Sequence, residues 1–258
     1  MRSIPVTGKF LFALILLILT LQIAEAQGTA GAGAAVEPRY LIDIPTAGII
    51  SHGSFALDMD FYQSGGVLAE LSVGLFDRMM IGASYGGANL LGTEKPSWNK
   101  SAGFAMKIRV LDETVMLPAL ALGFDSQGRE LFLDAYNRYS IKSLGFYAVA
   151  SKNYQAWGSL SFHGGANYSL ERDDDSDPNF FGGVDKSLGP FASLIAEYNV
   201  GMNDSNRDAL GRGRGYLNIG FRASVGNGFT IGFNFKDILN NQQETGNRTI
   251  RLEFVDVR

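Results

Sequence analysis

Val67-Leu-Ala-Glu-Leu-Ser-Val-Gly-Leu-Phe76, then Asp77-Arg78, then Met79-Met-Ile-Gly-Ala-Ser-Tyr85, is the stretch that decides the fold. In its first half Val67, Ala69, Leu71, Val73 and Leu75 fall on every second residue, with Glu70 on the opposite face. A period of two sends alternate side chains to opposite faces of a strand. After a two-residue break the pattern resumes, with Met79, Ile81, Ala83 and Tyr85 on one face and Met80, Gly82 and Ser84 on the other. Strands of about ten residues with one apolar face, joined by turns, mark a transmembrane β-barrel whose apolar face meets lipid.

The same reading extends in both directions. Phe55, Leu57, Met59 and Phe61 face out opposite Asp58, Asp60 and Tyr62, and Phe104, Met106, Ile108 and Val110 face out opposite Lys107 and Arg109. Further strands are expected at 115–124, 143–151, 155–165, 180–186 and 191–199. Leu217 to Ala223, Phe229 to Phe235 and Ile250 to Phe254 complete the set, giving an all-β, single up-and-down antiparallel barrel of about twelve strands. Connection length is an independent check, because bacterial barrels pair short periplasmic turns with longer outer loops. Asp77-Arg78, 112–114, 152–154, 187–190 and 226–228 are tight, whereas 88–101, 125–142, 166–179, 200–214 and 237–248 are long and polar; 63–65 is the short exception. With both chain ends periplasmic, that parity puts the long loops outside the cell. A soluble β-sandwich or lipocalin-like barrel also alternates, but its apolar face is the interior.

Arg2 and Lys9 precede the apolar run Phe10 to Ile23, which ends at Ala24-Glu25-Ala26. This is the form of a secretory signal peptide over residues 1–26, and the run is too short to span as a helix. Residues 27–52 are expected to form a periplasmic leader, small and flexible to residue 36 and then apolar enough at Tyr40 to Ile50 to be ordered at the rim or in the lumen. Residues 53–258 form the barrel. Removing Arg2, Lys9 and Glu25 leaves 20 cations and 25 anions, a net charge of -5. Nothing in that balance suggests a nucleic-acid partner. The chain contains no cysteine, which excludes disulfides and thiolate chemistry.

The inferred lumen face carries Asp58, Asp60, Glu70, Asp185, Glu197 and Glu253 against Lys107, Arg109, Arg222, Lys236 and Arg251. Both signs suggest mutual neutralisation, since buried charges survive when paired. A barrel of this size lies between one filled by side chains and one with an aqueous channel, so a plug and a narrow polar pore both remain open.

The two histidines, His52 and His163, exclude a site of several His ligands; no metal or cofactor is expected. Ser161 and His163 share a face, as in some outer-membrane phospholipases, but no orienting acid or oxyanion donors accompany them. A structural role is favoured and no catalytic residue is assigned. Glu171-Arg-Asp-Asp-Asp-Ser-Asp177 lacks the ligand spacing of a calcium loop and reads as a solvated acidic loop. Gly211-Arg-Gly-Arg-Gly215 precedes a strand rather than a helix, so it cannot cradle a phosphate as a P-loop does. Arg212 and Arg214 remain ligand candidates for lipopolysaccharide phosphates or sugar acids. Trp98, Tyr136 and Tyr139, with Phe132 nearby, are the aromatic outer-loop candidates, suited to sugar stacking or to the membrane interface.

Several phrases carry a family resemblance: Pro45-Thr-Ala-Gly48, Gly53-Ser54, Gly66-Val-Leu-Ala69, Val73-Gly-Leu-Phe-Asp-Arg78, Ile81-Gly-Ala-Ser-Tyr-Gly86, Pro118-Ala-Leu-Ala-Leu-Gly-Phe-Asp125, Ser151-Lys152 and Ala196-Glu-Tyr-Asn199. The chain resembles the YjbH-like outer-membrane proteins, associated by name with exopolysaccharide biosynthesis, over most of 40–256. The resemblance implies an outer-membrane location among lipids and a part in handling or exporting surface polysaccharide, beside an export machinery. It brings no catalytic residues. The family includes much longer chains, whereas this one has a single barrel's length.

The leading expectation is therefore a non-enzymatic outer-membrane barrel, a narrow pore or accessory for surface polysaccharide or small polar solutes. A structural or adhesive barrel binding through its outer loops is the alternative, and a Ser161/His163 lipid hydrolase the remote one.

Overall fold

The computed structural model describes residues 28–242 and 247–256. The expected signal peptide at 1–26 and the mature start at Gln27 lie outside them.

The strands are β1 (Phe55–Tyr62), β2 (Gly66–Leu75), β3 (Met79–Ala88), β4 (Ser97–Trp98), β5 (Gly103–Leu111), β6 (Ala119–Asp125), β7 (Arg129–Leu133), β8 (Arg138–Ile141), β9 (Gly145–Gln155), β10 (Ser159–Tyr168), β11 (Asn179–Ser187), β12 (Ala192–Asn199), β13 (Tyr216–Gly226), β14 (Phe229–Lys236) and β15 (Asn247–Val255). All except β4, β7 and β8 form a closed antiparallel wall of 12 strands. Closure is made by β1, where Leu57 lies opposite Leu71 of β2 and opposite Phe254 of β15. β4 is a short addition to β3, and β7 pairs with β8 as a separate hairpin within the 125–142 loop.

The wall is inside out relative to a soluble protein. Leu71, Phe104, Leu122, Phe146, Phe180 and Phe233 are each about half exposed and come from strands all around the barrel, while Asp58, Glu70, Lys107, Glu197 and Arg222 are buried. An apolar belt of this extent cannot face water at equilibrium, so lipid is the outer solvent and the barrel spans a membrane. Leu71→Arg should accordingly cost about 2–4 kcal/mol in unfolding from lipid vesicles, the price of a cation near the bilayer midplane. A change within about 0.5 kcal/mol, as expected of a water-facing surface position, would contradict the belt.

Two boundaries differ from the sequence expectation. The strand placed at 115–124 begins at Ala119, because Thr114 turns the chain by accepting from the Leu117 N–H at Oγ1 (2.9 Å) and donating its own N–H to the Leu117 carbonyl (3.0 Å). The turn placed at 152–154 lies at 156–158 instead. β9 stays paired to Gln155, and the chain reverses through left-handed Trp157 and Gly158, a conformation suited to glycine. Trp157 thereby stands fully exposed at a turn tip; counted by alternation with Ser159, Ser161 and His163 it would have faced the lumen.

Residues 28–50 form a strap whose parts 28–31 and 39–50 lie largely buried inside the barrel, while 32–37 loop out at the short-turn rim, where Ala32 and Gly33 donate to the carbonyls of Gly189 and Pro190. At their start Ala30 donates its N–H to Ser224 Oγ and Gly31 donates to Ser193 Oγ, both near the short-turn rim. The segment then runs inward, folds back in a tight bend where Tyr40 bridges Pro45, and returns to β1. Leu41, Ile42, Ile44 and Ile50 are buried on it. Glycines on the wall make the room: a Cβ on Gly183 would collide with Leu41, and one on Gly220 would crowd Ile42.

Candidate functional site

The strap's buried amides and carbonyls have no sheet to satisfy them, so the wall must do so. Glu197 accepts the N–H groups of Ile42, Asp43 and Ile44 at 2.9, 3.0 and 3.2 Å, and Asn218 steadies the same carboxylate at 2.7 Å. From the cationic side Lys107 donates to the carbonyls of Arg39 (2.8 Å) and Gly48 (3.1 Å), and Arg222 to that of Tyr40 (2.8 Å). Arg251 reaches the Ile42 carbonyl (3.1 Å), and Arg109 the Ala47 carbonyl (3.0 Å). The bend is thus gripped by a carboxylate at its N–H groups and by cations at its carbonyls.

The strap also supplies charge of its own. Arg39 sits between Asp58 (2.8 Å) and Glu253 (2.9 Å), with all three side chains buried. Asp43 pairs with Lys236 (2.7 Å), which also takes Glu130 from the β7 hairpin (2.8 Å). Arg129 of that hairpin lies near Glu70 (3.6 Å), and its guanidinium stands over the Tyr40 ring at 5.1 Å. Glu253 further accepts the Thr29 hydroxyl (2.9 Å).

All eleven residues assigned to the lumen from sequence are buried or half-buried inside the wall. Their expected mutual neutralisation is not what the structure shows. Among the described residues the one ion pair within that set is Asp60 with Arg251 (2.6 Å); the other pairs run to the strap and the β7 hairpin. Asp185 is buried in the wall, where Ser193 hydrogen-bonds its carboxylate. Sequence reasoning missed Arg39, Asp43, Arg129 and Glu130. The first two sit in a stretch without period, and the others in a long polar loop; a cation and an anion flanking the apolar Tyr40-Leu-Ile were the available signal.

The outer mouth carries a second network. Arg138 is buried and bridges Asp174 (2.5 Å) and Asp204 (2.7 Å), while Lys142 takes the other oxygen of Asp174 (2.5 Å). Asp175 accepts the N–H groups of Ser205 (3.0 Å) and Asn206 (3.1 Å), and Glu171 those of Tyr139 (3.0 Å) and Ser143 (2.6 Å). Gln242 reaches Ser140 from another loop at 2.5 Å. The acidic run is therefore no solvated loop: Glu171, Asp174 and Asp175 are the acceptors that tie the outer loops together over the mouth.

Burial pushes the Asp174 carboxyl up, but the Lys142 hydrogen bond and the Arg138 charge outweigh it and hold the group below its ordinary range. Its stabilisation is present above the unfolded pKa and is lost as pH falls through the lower folded value. Amide protection of residues 171–176 should thus survive down to about pH 4, near the ordinary Asp value, and fall only in stronger acid. Asp174→Asn should lose this acid step; a step unchanged in that variant would assign it elsewhere.

Of the outer-loop candidates, Trp98 is exposed and stacked on Tyr85 at 5.6 Å, and Tyr136 is exposed. Tyr139 is buried edge-on to Phe132, so it cannot receive a ligand from solution. Arg212 and Arg214 are exposed. Ser161 and His163 are not joined: Ser161 donates to Asn153 (2.5 Å), whereas His163 Nδ1 bonds Ser151 Oγ (2.8 Å), which in turn accepts the strap's Ala47 N–H (2.8 Å). His163 thus stands behind one of the strap's anchors.

No family model and no curated protein matches this chain. Among solved structures it is similar to the KdgM porin at TM-score 0.49 and 9% identity, over 80% of this chain and 99% of that one, a protein also solved in complex with disordered oligogalacturonate. It is similar to the Acinetobacter baumannii outer membrane protein Omp33 at TM-score 0.45 and 10% identity, over 80% and 97% of the two chains. The NanC porin follows at TM-score 0.44 and 10% identity, over 79% and 99%. At such identities and TM-scores these likenesses decide nothing about function.

Proposed function

We propose that this chain is a bacterial outer-membrane barrel that keeps a narrow passage for small polar solutes or sugars closed with its own N-terminal segment. The observation that supports this is the use made of the wall's charges. Apart from the Asp60–Arg251 pair, they hold a strap whose two ends lie at one rim, or the β7 hairpin, rather than one another, so displacing the strap would leave a lumen lined by Asp58, Glu70, Lys107, Arg222 and Arg251. A core made only for stability would gain more from apolar packing than from buried ion pairs. Long loops at one end and short turns at the other fit the outer membrane. The YjbH-like phrases extend the proposal to surface polysaccharide, handled in company with export machinery, without a catalytic step.

Sugar uptake tests the reading. Proteoliposomes of the chain lacking residues 28–50 should admit small sugars and exclude large dextrans, and those of the whole chain should admit little of either. A truncated chain that folds and still excludes small sugars would contradict it.

A further inference from the structure

The outward cations of the barrel are not treated alike. At the short-turn end Arg78 is matched by Asp112 (2.7 Å), and on the outer side Arg172 lies over the Tyr168 ring at 5.6 Å. Arg212, Arg214 and Arg248 are exposed, and among the described residues none has a carboxylate within ion-pair distance.

These three converge on one arc of the outer rim. Arg248 alternates with buried Asn247 and Thr249, so it shares the outward face with Ile250, and its cross-strand neighbour on β14 is the exposed Phe235. Past Phe235 the chain turns through Ile238 and Leu239, both exposed. Arg214 reaches that turn, donating to the Leu239 carbonyl (3.3 Å), while its own carbonyl accepts the hydroxyl of Tyr198 (2.9 Å). The Arg-Gly-Arg segment is held in place from behind: fully buried Asn241 accepts the N–H groups of Arg212 (3.1 Å) and Arg214 (2.7 Å) on one side-chain oxygen. Asp204 and Asp237, the nearest buried acids of these loops, are occupied inward, by Arg138 and by the N–H groups of Asn241 (2.7 Å) and Gln242 (3.0 Å). The exposed acid among the described residues of these loops is Asp208, adjacent to Arg207.

Guanidinium groups with no carboxylate partner among the described residues, standing beside an apolar surface, are complementary to an amphiphile with a phosphorylated head. Guanidinium binds phosphate oxygens through paired N–H groups, and cations at a membrane surface attract anionic lipids. We propose that Arg212, Arg214 and Arg248 form a site for the phosphates of a glycolipid in the outer leaflet, with its acyl chains lying on Phe235, Ile238 and Leu239. The inference rests on the reading of the barrel as an outer-membrane protein with its long loops outside.

The test uses the full chain in phosphatidylcholine vesicles containing either diphosphorylated lipid A or lipid A with its phosphates removed, with retained lipid counted by native mass spectrometry after extraction. The phosphorylated form should be retained on the order of tenfold more, and Arg214→Gln with Arg248→Gln should abolish the preference. Arg78→Gln, at the opposite end, should leave it intact. A folded, heat-modifiable barrel with no preference, or with an equal preference in the double variant, overturns the site and leaves the membrane reading standing. Failure of the chain to insert into either vesicle overturns both.

Discussion

A chain lacking residues 28–50 should conduct ions across a planar bilayer that the whole chain leaves electrically quiet. The wall closes on itself through β1, so its hydrogen-bond ladder does not depend on the strap. What the strap fills is space: Leu41, Ile42 and Ile44 occupy the centre, and the cavity left at the Asp43, Asp60 and Lys236 side is only about 10 Å³, too small for a hydrated ion. Without it, Glu197, Lys107 and Arg222 lose partners that are chain atoms and can regain them from water. A polar, water-filled lumen follows, in the size range between side-chain-filled and wide barrels. The loops tied by Arg138 still cover the mouth, so the steps should be small and brief and should lengthen when Arg138→Ala is added. A truncated barrel that folds and shows no more conductance than the whole chain would mean that the wall collapses inward or that the loops alone close it.

Arg39→Ala should be the most destabilising single substitution in the strap, by about 3–5 kcal/mol, because it leaves Asp58 and Glu253 buried with their shared cation gone. The same principle gives the expected rescue. Replacing Arg39, Asp58 and Glu253 together with apolar residues of similar size should recover most of the loss, since a buried ion cluster and a well-packed apolar one are often nearly equivalent in stability. Urea unfolding from lipid vesicles measures both. If Arg39→Ala costs less than about 1 kcal/mol, the Arg39 guanidinium is solvated and is not the centre of the interior, in line with the small worth of exposed pairs.

How much of this was legible depended on period. The wall was readable because alternation repeats over seven to eleven residues per strand and errors show as a face change. The 152–158 reversal was misplaced because Lys152-Asn-Tyr has turn-like composition, whereas the left-handed Trp157-Gly158 pair that makes the turn is not a frequent turn dipeptide. The inward charges were readable as inward but not as paired, since pairing depends on distant partners: Arg39 and Glu253 are separated by nearly the whole barrel. Residues 40–50 have neither a helical nor a strand period, because their backbone is satisfied by side chains such as Glu197 rather than by a ladder. The same blindness applies to the outer loops. Arg138 and Lys142 look like solvated cations in sequence and become buried only because Asp174 and Asp204 arrive from other loops.

The most direct test of the filled barrel is a crosslink from strap to wall. Thr29 and Thr230 place their hydroxyl oxygens 3.3 Å apart, and the chain has no cysteine to confuse the result. Thr29→Cys with Thr230→Cys, folded into vesicles and mildly oxidised, should form an intramolecular disulfide in most molecules, seen as a mobility shift reversed by reductant. A correctly folded barrel whose two cysteines both remain free and reactive toward a water-soluble maleimide would show that the strap lies outside the lumen.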